Sequence, residues 1–141
     1  MIMIADKEKV RDLIPQKFPF VMVDNLLNYS EEFVLSNLTV TKDNIFYDNS
    51  NFNESGIIEN MAQTVALHTG YQFFLKKMPA PTGYIGSIKN VVINRLPELK
   101  ETLETSVKII QEFMGVTLVE IEVKINNELI AHGQMKTVLA S

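Results

Sequence analysis

The chain has 141 residues, of which 46% are hydrophobic and 21% are charged, and its formal net charge is −4. These values predict one soluble domain over residues 1–141, large enough to close a hydrophobic core, and they argue against a nucleic-acid partner, which would need a basic face. Because cysteine is absent and only two histidines occur, the composition excludes disulfides, a thiol nucleophile and thiolate metal sites, and we expect no metal and no other cofactor.

The first third of the chain predicts a helix, two strands and a loop. The segment DKEKVRDLIP has apolar residues at helical spacing and stops at Pro15, which predicts a short amphipathic helix. Two β-rich runs, 18–30 and 32–41, meet at Ser30-Glu31 and predict a strand pair. The following stretch, 42–55, holds six Asn or Asp residues, whose side chains favour turns, so it predicts a loop.

The segment ESGIIENMAQTVALHTGYQFFLKK, residues 54–77, predicts one long helix. Between Glu54 and Lys76 the only formally charged residue is Glu59. Gly56 is the predicted helix cap, since Glu59 then follows three residues later, where a carboxylate suits the positive end of a helix. The helix is long enough to cross a bilayer but too rich in polar side chains to do so, and we expect no membrane partner.

The last third predicts antiparallel strands. Strand-like runs cover 84–96, 101–113, 117–125 and 128–140, with Gly86 as a plausible bulge and Asn126-Asn127 as a tight turn. The run TLVEIEVKI alternates apolar and charged residues, which is typical of a half-buried strand. A long apolar helix must be buried on nearly all sides, so we predict an α+β fold in which the antiparallel sheet wraps around it.

Two segments resemble the β-hydroxyacyl-acyl-carrier-protein dehydratases, which have the hotdog fold. LIPQKFPFVMVDNLL, residues 13–27, is similar to the opening of that family, and GIIENMAQT, residues 56–64, is similar to the start of its central helix. The resemblance implies a hotdog fold, with an antiparallel sheet around one central helix, and removal of water from a 3-hydroxyacyl thioester. It also implies a dimer whose active sites use residues from both subunits.

The resemblance assigns roles to individual residues. Glu59 is expected to be the catalytic acid or base that handles the leaving hydroxyl, with helix capping as the alternative. Gln63 is expected to orient Glu59 or a water, with plain helix packing as the alternative. Gly56 is expected to bring a backbone N–H to the thioester carbonyl, or only to cap the helix. Asn51 falls near the slot of the family's catalytic histidine, although a turn role fits its sequence context better.

The chain departs from the family pattern because it lacks the usual catalytic histidine. No histidine occurs between Lys42 and Gly56, and Gln16 stands where the family has a second histidine. His68 follows Glu59 by nine residues, about half a turn away from its helix face, so it is expected to be a core or interface residue. His132 lies on a late strand.

Three functions remain open from the sequence. The first is a 3-hydroxyacyl-thioester dehydratase of fatty-acid or polyene-type biosynthesis, whose missing histidine comes from a related hotdog subunit. The second is a hotdog thioesterase that uses Glu59, and the third is a non-catalytic acyl-binding subunit. All three predict an acyl thioester of acyl carrier protein or coenzyme A as ligand, a homodimer or heterodimer, and a cytoplasmic location.

Overall fold

The computed structural model describes residues 3–140. Two helices and six strands occur within that range. The helices are α1 (Lys7–Leu13) and α2 (Glu54–Leu75), and the strands are β1 (Asn25–Ser30), β2 (Phe33–Thr39), β3 (Gly83–Ile93), β4 (Thr102–Phe113), β5 (Val116–Ile125) and β6 (Glu128–Leu139). The strands form one antiparallel sheet in the order β1-β2-β4-β5-β6-β3, and α2 packs against it, mainly on β2 and β4. This is the predicted α+β hotdog arrangement.

The helix α1 forms where the spacing of apolar residues predicted it. The Asp6 side chain caps it by accepting a hydrogen bond from Lys9 N at 3.1 Å. Val10 and Leu13 are its buried residues, and the chain turns extended at Ile14, directly before Pro15. This short helix therefore packs against α2 through one apolar face.

The predicted strand over 18–30 is too long, because only β1 is a strand. Residues 18–24 are irregular, with a cis peptide bond between Phe18 and Pro19. The backbone of Met22 bonds to side chains of α2 instead of to a neighbouring strand: Met22 N donates to Gln63 Oε1 and Met22 O accepts from Asn60 Nδ2. A segment whose backbone groups are satisfied in this way has no need of a strand partner.

The cap of α2 lies three residues before Gly56, so the predicted cap is wrong. Asn53 is the cap, and its Oδ1 accepts a hydrogen bond from Gly56 N at 2.9 Å. Ten residues of α2 are buried, from Gly56 to Gly70, whereas the last residues, such as Leu75, are exposed. The sheet therefore covers the first four turns and leaves the carboxyl end open. No helix within residues 3–140 is long and apolar enough to span a membrane.

The second half of the sheet follows the predicted pattern. Along β5 from Val119 to Ile125 the apolar residues are buried and the charged residues are exposed. Asn126 and Asn127 both have positive φ, at 49° and 67°, as a tight hairpin turn requires. The β3–β6 register shifts at Gly86, which confirms the predicted bulge. β3 is an edge strand and most of its residues are exposed.

Candidate active site

Glu59 lies in the second turn of α2 and faces a cavity of about 240 Å³. The cavity is bounded by α2, by the segment after α1 and by the neighbouring ends of β3 and β6. Its wall is mainly apolar, with side chains that include Ala62, Ala66, Tyr84, Ile85 and Leu139. Glu59 is half-buried at this wall. A carboxyl group beside an apolar cavity is an arrangement suited to proton transfer to a bound ligand.

The position of Glu59 removes helix capping as its role. With Asn53 as the cap, Glu59 is the sixth residue of α2, beyond the first turn in which backbone N–H groups lack partners. Its Oε2 instead accepts a hydrogen bond from Gln63 Nε2 at 2.9 Å. The carboxyl group is therefore fixed by a side chain one turn later, and its other oxygen remains available to the cavity.

Gln63 is fully buried and makes three hydrogen bonds. Its Nε2 donates to Glu59 Oε2 and to Phe20 O, the latter at 2.8 Å, and its Oε1 accepts from Met22 N at 2.6 Å. Because both ends of the amide are engaged, the rotamer of Gln63 is fixed. Gln63 therefore joins the irregular segment 18–24 to the carboxyl group of Glu59.

A second set of buried polar side chains continues this network away from the cavity. Asn60 donates to Met22 O at 2.8 Å and accepts from Thr105 Oγ1 at 2.6 Å. Thr64 donates to the Asn60 carbonyl and lies 2.8 Å from Ser36 Oγ. These contacts fix the rotation of α2 relative to β2 and β4, and thereby the direction in which Glu59 points. The sequence signal for them was the unusual run of uncharged polar residues in an apolar helix.

Gly56 is buried and its N–H is already bonded to the Asn53 side chain. A Cβ at Gly56 would lie 2.5 Å from the ring of Phe52 and 2.7 Å from Phe46 Cβ, so glycine is required there by packing. The residues that line the Glu59 cavity, within the described range, do not include Gly56. A substrate-binding role for Gly56 stays a prediction.

Asn51 belongs to a turn organised by Asp48. The carboxylate of Asp48 accepts hydrogen bonds from the backbone N–H groups of Ser50 and Asn51, and these bonds lower the pKa of Asp48. The Asn51 side chain reaches Leu96 O at 3.5 Å. Asn51 is likewise outside the described lining of the Glu59 cavity, and its substrate-binding role also stays a prediction.

Neither histidine of the chain lines the Glu59 cavity. His68 is buried, donates from Nε2 to Ser30 O at 2.9 Å and packs 5.1 Å from the ring of Tyr29. Burial lowers the pKa of His68, which favours the neutral form of the ring. It borders a second cavity of about 160 Å³, which shares four lining residues with the first: Val65, Thr69, Thr137 and Leu139. His132 lies in an open groove with Glu120 and Glu122, on the outer side of the sheet.

Two features of the site were not predicted from the sequence. The β3 and β6 residues of the cavity wall come from strands that only the fold brings next to α2. Gln16, noted in the sequence only as a departure from the family pattern, also lines the Glu59 cavity. No group of three side chains that could hold a metal ion occurs in the part of the chain that the structure describes.

Comparison with solved structures gives hotdog proteins of low sequence identity. One is the dehydratase heterocomplex ApeI:P from Xenorhabdus doucetiae, with a TM-score of 0.82 at 19% identity over 94% of this chain and 91% of that chain. Another is a hypothetical thioesterase with coenzyme A from Streptococcus pneumoniae, with a TM-score of 0.67 at 7% identity over 82% of this chain and 84% of that chain. A third is an uncharacterized protein from Pyrococcus horikoshii, with a TM-score of 0.71 at 13% identity over 100% of this chain and 96% of that chain.

No curated protein matches the sequence. The model of the ApeP-like family, described as ApeP dehydratase, matches residues 8–141. That match covers almost the whole chain, including the helix with Glu59 and Gln63 and both walls of the cavity. By this match the chain is a member of the ApeP-like dehydratase family.

Proposed function

We propose that this chain is one subunit of a dehydratase that removes water from a 3-hydroxyacyl thioester. The observation that carries the proposal is the carboxyl group of Glu59, which faces an apolar cavity and is oriented by the buried amide of Gln63. Membership of a dehydratase family supports the reaction class. Biosynthesis of fatty acids or polyenes is the setting that we propose for it, in the cytoplasm.

The reaction requires one acid and one base. A base removes a proton from the carbon next to the thioester carbonyl, the C–O bond to the hydroxyl breaks, and a double bond forms between the two carbons. Glu59 is the proposed acid, whose carboxyl group gives a proton to the leaving hydroxyl, which departs as water. Transfer of the substrate's proton from the base to Glu59 then restores both groups to their starting state, and no cofactor is needed.

The base is proposed to come from another subunit. Neither His68 nor His132 borders the Glu59 cavity. The heterocomplex ApeI:P consists of two different components, and we extend that assembly to this chain by proposing a related hotdog subunit as partner. In a homodimer both subunits would lack a histidine in this part of the sequence, so the heterodimer is the form expected to be active.

The edge strand β3 offers a surface for that partner. Four large apolar side chains on β3 are exposed by 44% or more: Tyr84, Ile85, Ile88 and Val92. An exposed apolar edge strand is normally covered by another element or subunit, since its unpaired backbone groups and apolar side chains promote association. Tyr84 and Ile85 also line the Glu59 cavity. A partner seated on β3 would therefore border the cavity and be close enough to contribute a side chain to it.

The test is to assay the chain alone, the related subunit alone and the two together. The substrate is a 3-hydroxyacyl thioester of acyl carrier protein or coenzyme A, and formation of the conjugated enoyl thioester is followed by ultraviolet absorbance. We expect activity in the mixture and a loss of about 10²–10⁴-fold in kcat on Glu59→Gln. The matched control is Glu54→Gln, an exposed carboxylate in the first turn of the same helix, which should leave kcat unchanged.

Association is measured separately from turnover. Ile88→Lys on β3 should weaken the complex, whereas Ile110→Lys on β4 should not, although both isoleucines are 44% exposed. A mixture that associates but shows no water loss would refute the proposed reaction. Equal effects of the two lysine variants would refute the proposed partner surface.

Thioester hydrolysis is the second candidate, because the cavity holds a carboxyl group without a histidine. Glu59 would then activate a water or attack the thioester carbonyl directly. Release of free thiol from an acyl-coenzyme A by the chain alone, abolished by Glu59→Gln, would favour this function over dehydration. If Glu59→Ala changes neither acyl binding nor the output of the pathway, the chain is a non-catalytic acyl-binding subunit instead.

A further inference from the structure

Gln16 has a buried amide oxygen without a hydrogen-bond partner among the described residues. The only other buried side-chain atom of this kind in residues 3–140 is Ser87 Oγ on β3. A buried polar group without a partner destabilises the folded chain, so such atoms are rare and call for a physical explanation. A ligand that donates a hydrogen bond is one such explanation.

Gln16 borders the same cavity as Glu59. It follows α1 after Ile14, where the backbone turns extended, and Pro15. Most of the other side chains around the cavity are apolar, and the carboxyl group of Glu59 is held by Gln63. The Gln16 amide oxygen is therefore an unpartnered polar atom on a residue that lines the same cavity as the proposed acid.

We propose that Gln16 is a substrate-positioning residue, whose amide oxygen accepts a hydrogen bond from the 3-hydroxyl of the substrate. This inference rests on the proposed function. A hydroxyl that donates its hydrogen to Gln16 presents its oxygen lone pairs to Glu59, which supplies the proton for departure as water. Donation to Gln16 also raises the electron density on that oxygen, which favours its protonation.

The chemistry separates the hydroxyl from other donors in an acyl thioester. The pantetheine arm has amide N–H groups that a glutamine oxygen also accepts, and they are present in every acyl thioester. The 3-hydroxyl is present only in the substrate. Binding of a 3-hydroxyacyl thioester and of the saturated acyl thioester of equal length is compared by calorimetry on the complex carrying Glu59→Gln, in which turnover of the substrate is suppressed. The comparison identifies the group that Gln16 contacts.

The variant is Gln16→Met, which removes the amide at nearly constant size, and the control is Gln111→Met, an exposed glutamine on β4. We expect Gln16→Met to weaken binding of the 3-hydroxyacyl thioester by about tenfold, the usual effect of one buried hydrogen bond, without changing that of the saturated thioester. The value of kcat should fall as well, since the hydroxyl is no longer oriented toward Glu59. Gln111→Met should change neither.

A measurement on the unliganded chain completes the test. Because Gln16→Met removes an unpartnered buried oxygen, the variant should be at least as stable to urea as the parent chain. Clear destabilisation would show that the amide is structural and would overturn the inference. Equal weakening for both thioesters would do the same, since the contact would then be with the pantetheine arm.

The outcome for Gln16 is independent of the outcome for the reaction. If the complex removes water and Gln16→Met leaves binding and kcat unchanged, this inference is wrong and the proposed function stands. If the complex is inactive in dehydration but still prefers the 3-hydroxyacyl thioester through Gln16, the inference stands and the reaction must be revised.

Discussion

Gln63→Met is the substitution with the largest expected effect on both the fold and the site. It keeps the size and flexibility of the side chain and removes all three hydrogen bonds of the amide. Met22 N–H then lacks its acceptor, and Phe20 C=O lacks its donor. The carboxyl group of Glu59 loses the contact that orients it.

The expected loss of stability follows from those contacts. Each buried polar group left without a partner costs about 1–3 kcal/mol, so two backbone groups cost about 2–6 kcal/mol. The Phe20 side chain is 57% exposed, so water can reach part of this segment and replace the bond to its carbonyl. Met22 is 1% exposed and its N–H has no such replacement. We therefore expect the free energy of unfolding to fall by about 3 kcal/mol.

The assay is urea unfolding of the chain alone, followed by circular dichroism, because the chain contains no tryptophan. Gln72→Met is the control: it makes the same change on the same helix, at a glutamine whose side chain forms no hydrogen bond within the described residues. In the complex, Gln63→Met should also lower kcat more than it raises KM. A loss of less than 1 kcal/mol, or one equal to that of the control, would refute the role given to the amide.

Three further predictions concern stability and use the same urea assay. Gly70→Ala should lower the free energy of unfolding by about 1–3 kcal/mol, since the added Cβ would lie 1.8 Å from Leu13 O. The control Gly83→Ala, whose Cβ would have no contact closer than 3.6 Å, should leave it nearly unchanged. Equal effects of the two variants would contradict the packing of α1 against α2. Asn53→Ala should lower the free energy of unfolding by about 1 kcal/mol, because it removes the cap of α2. An unchanged free energy of unfolding would show that the cap is dispensable. Burial lowers the pKa of His68, so the unfolded chain takes up a proton that the folded chain resists. Stability should therefore fall as the pH drops below about 6.5, by no more than about 1.4 kcal/mol per pH unit, and His68→Gln should remove this part of the pH dependence.

The sequence predicted the elements whose signals are local. Alternation along 117–125 marked the buried face of β5, and the pair Asn126-Asn127 marked its hairpin turn. The four-residue separation of Glu59 and Gln63 placed both on one helix face, and their side chains are in contact at 2.9 Å. In each case residues within a few positions of one another determine the result.

The features that the sequence could not predict depend on distant residues. Asn53, Ser55 and Gly56 are all acceptable cap residues, so the local sequence does not choose among them. In the structure Asn53 is the cap, and Gly56 lies inside the helix, where the Phe52 ring and Phe46 Cβ occupy the place of a residue-56 Cβ. The run 18–24 has the composition of a strand, but its backbone bonds to side chains about forty positions later in the chain. The Glu59 cavity combines residues from both halves of the chain, so its lining had no local signal.

The hydrogen-bond network around Gln63 also holds His68 in its position on α2. On an ideal helix His68 points about half a revolution away from Glu59, so α2 would have to turn to bring the imidazole beside that carboxyl group. Such a rotation would break the bonds of Asn60 and Gln63 to Met22, together with the bond of His68 to Ser30. Each broken bond would leave buried polar groups unpartnered, so the rotation is far too costly to occur in the folded chain. This cost is consistent with the proposal that a partner subunit supplies the base. The activity of the isolated subunit distinguishes a shared dehydratase site from a hydrolase that needs only Glu59.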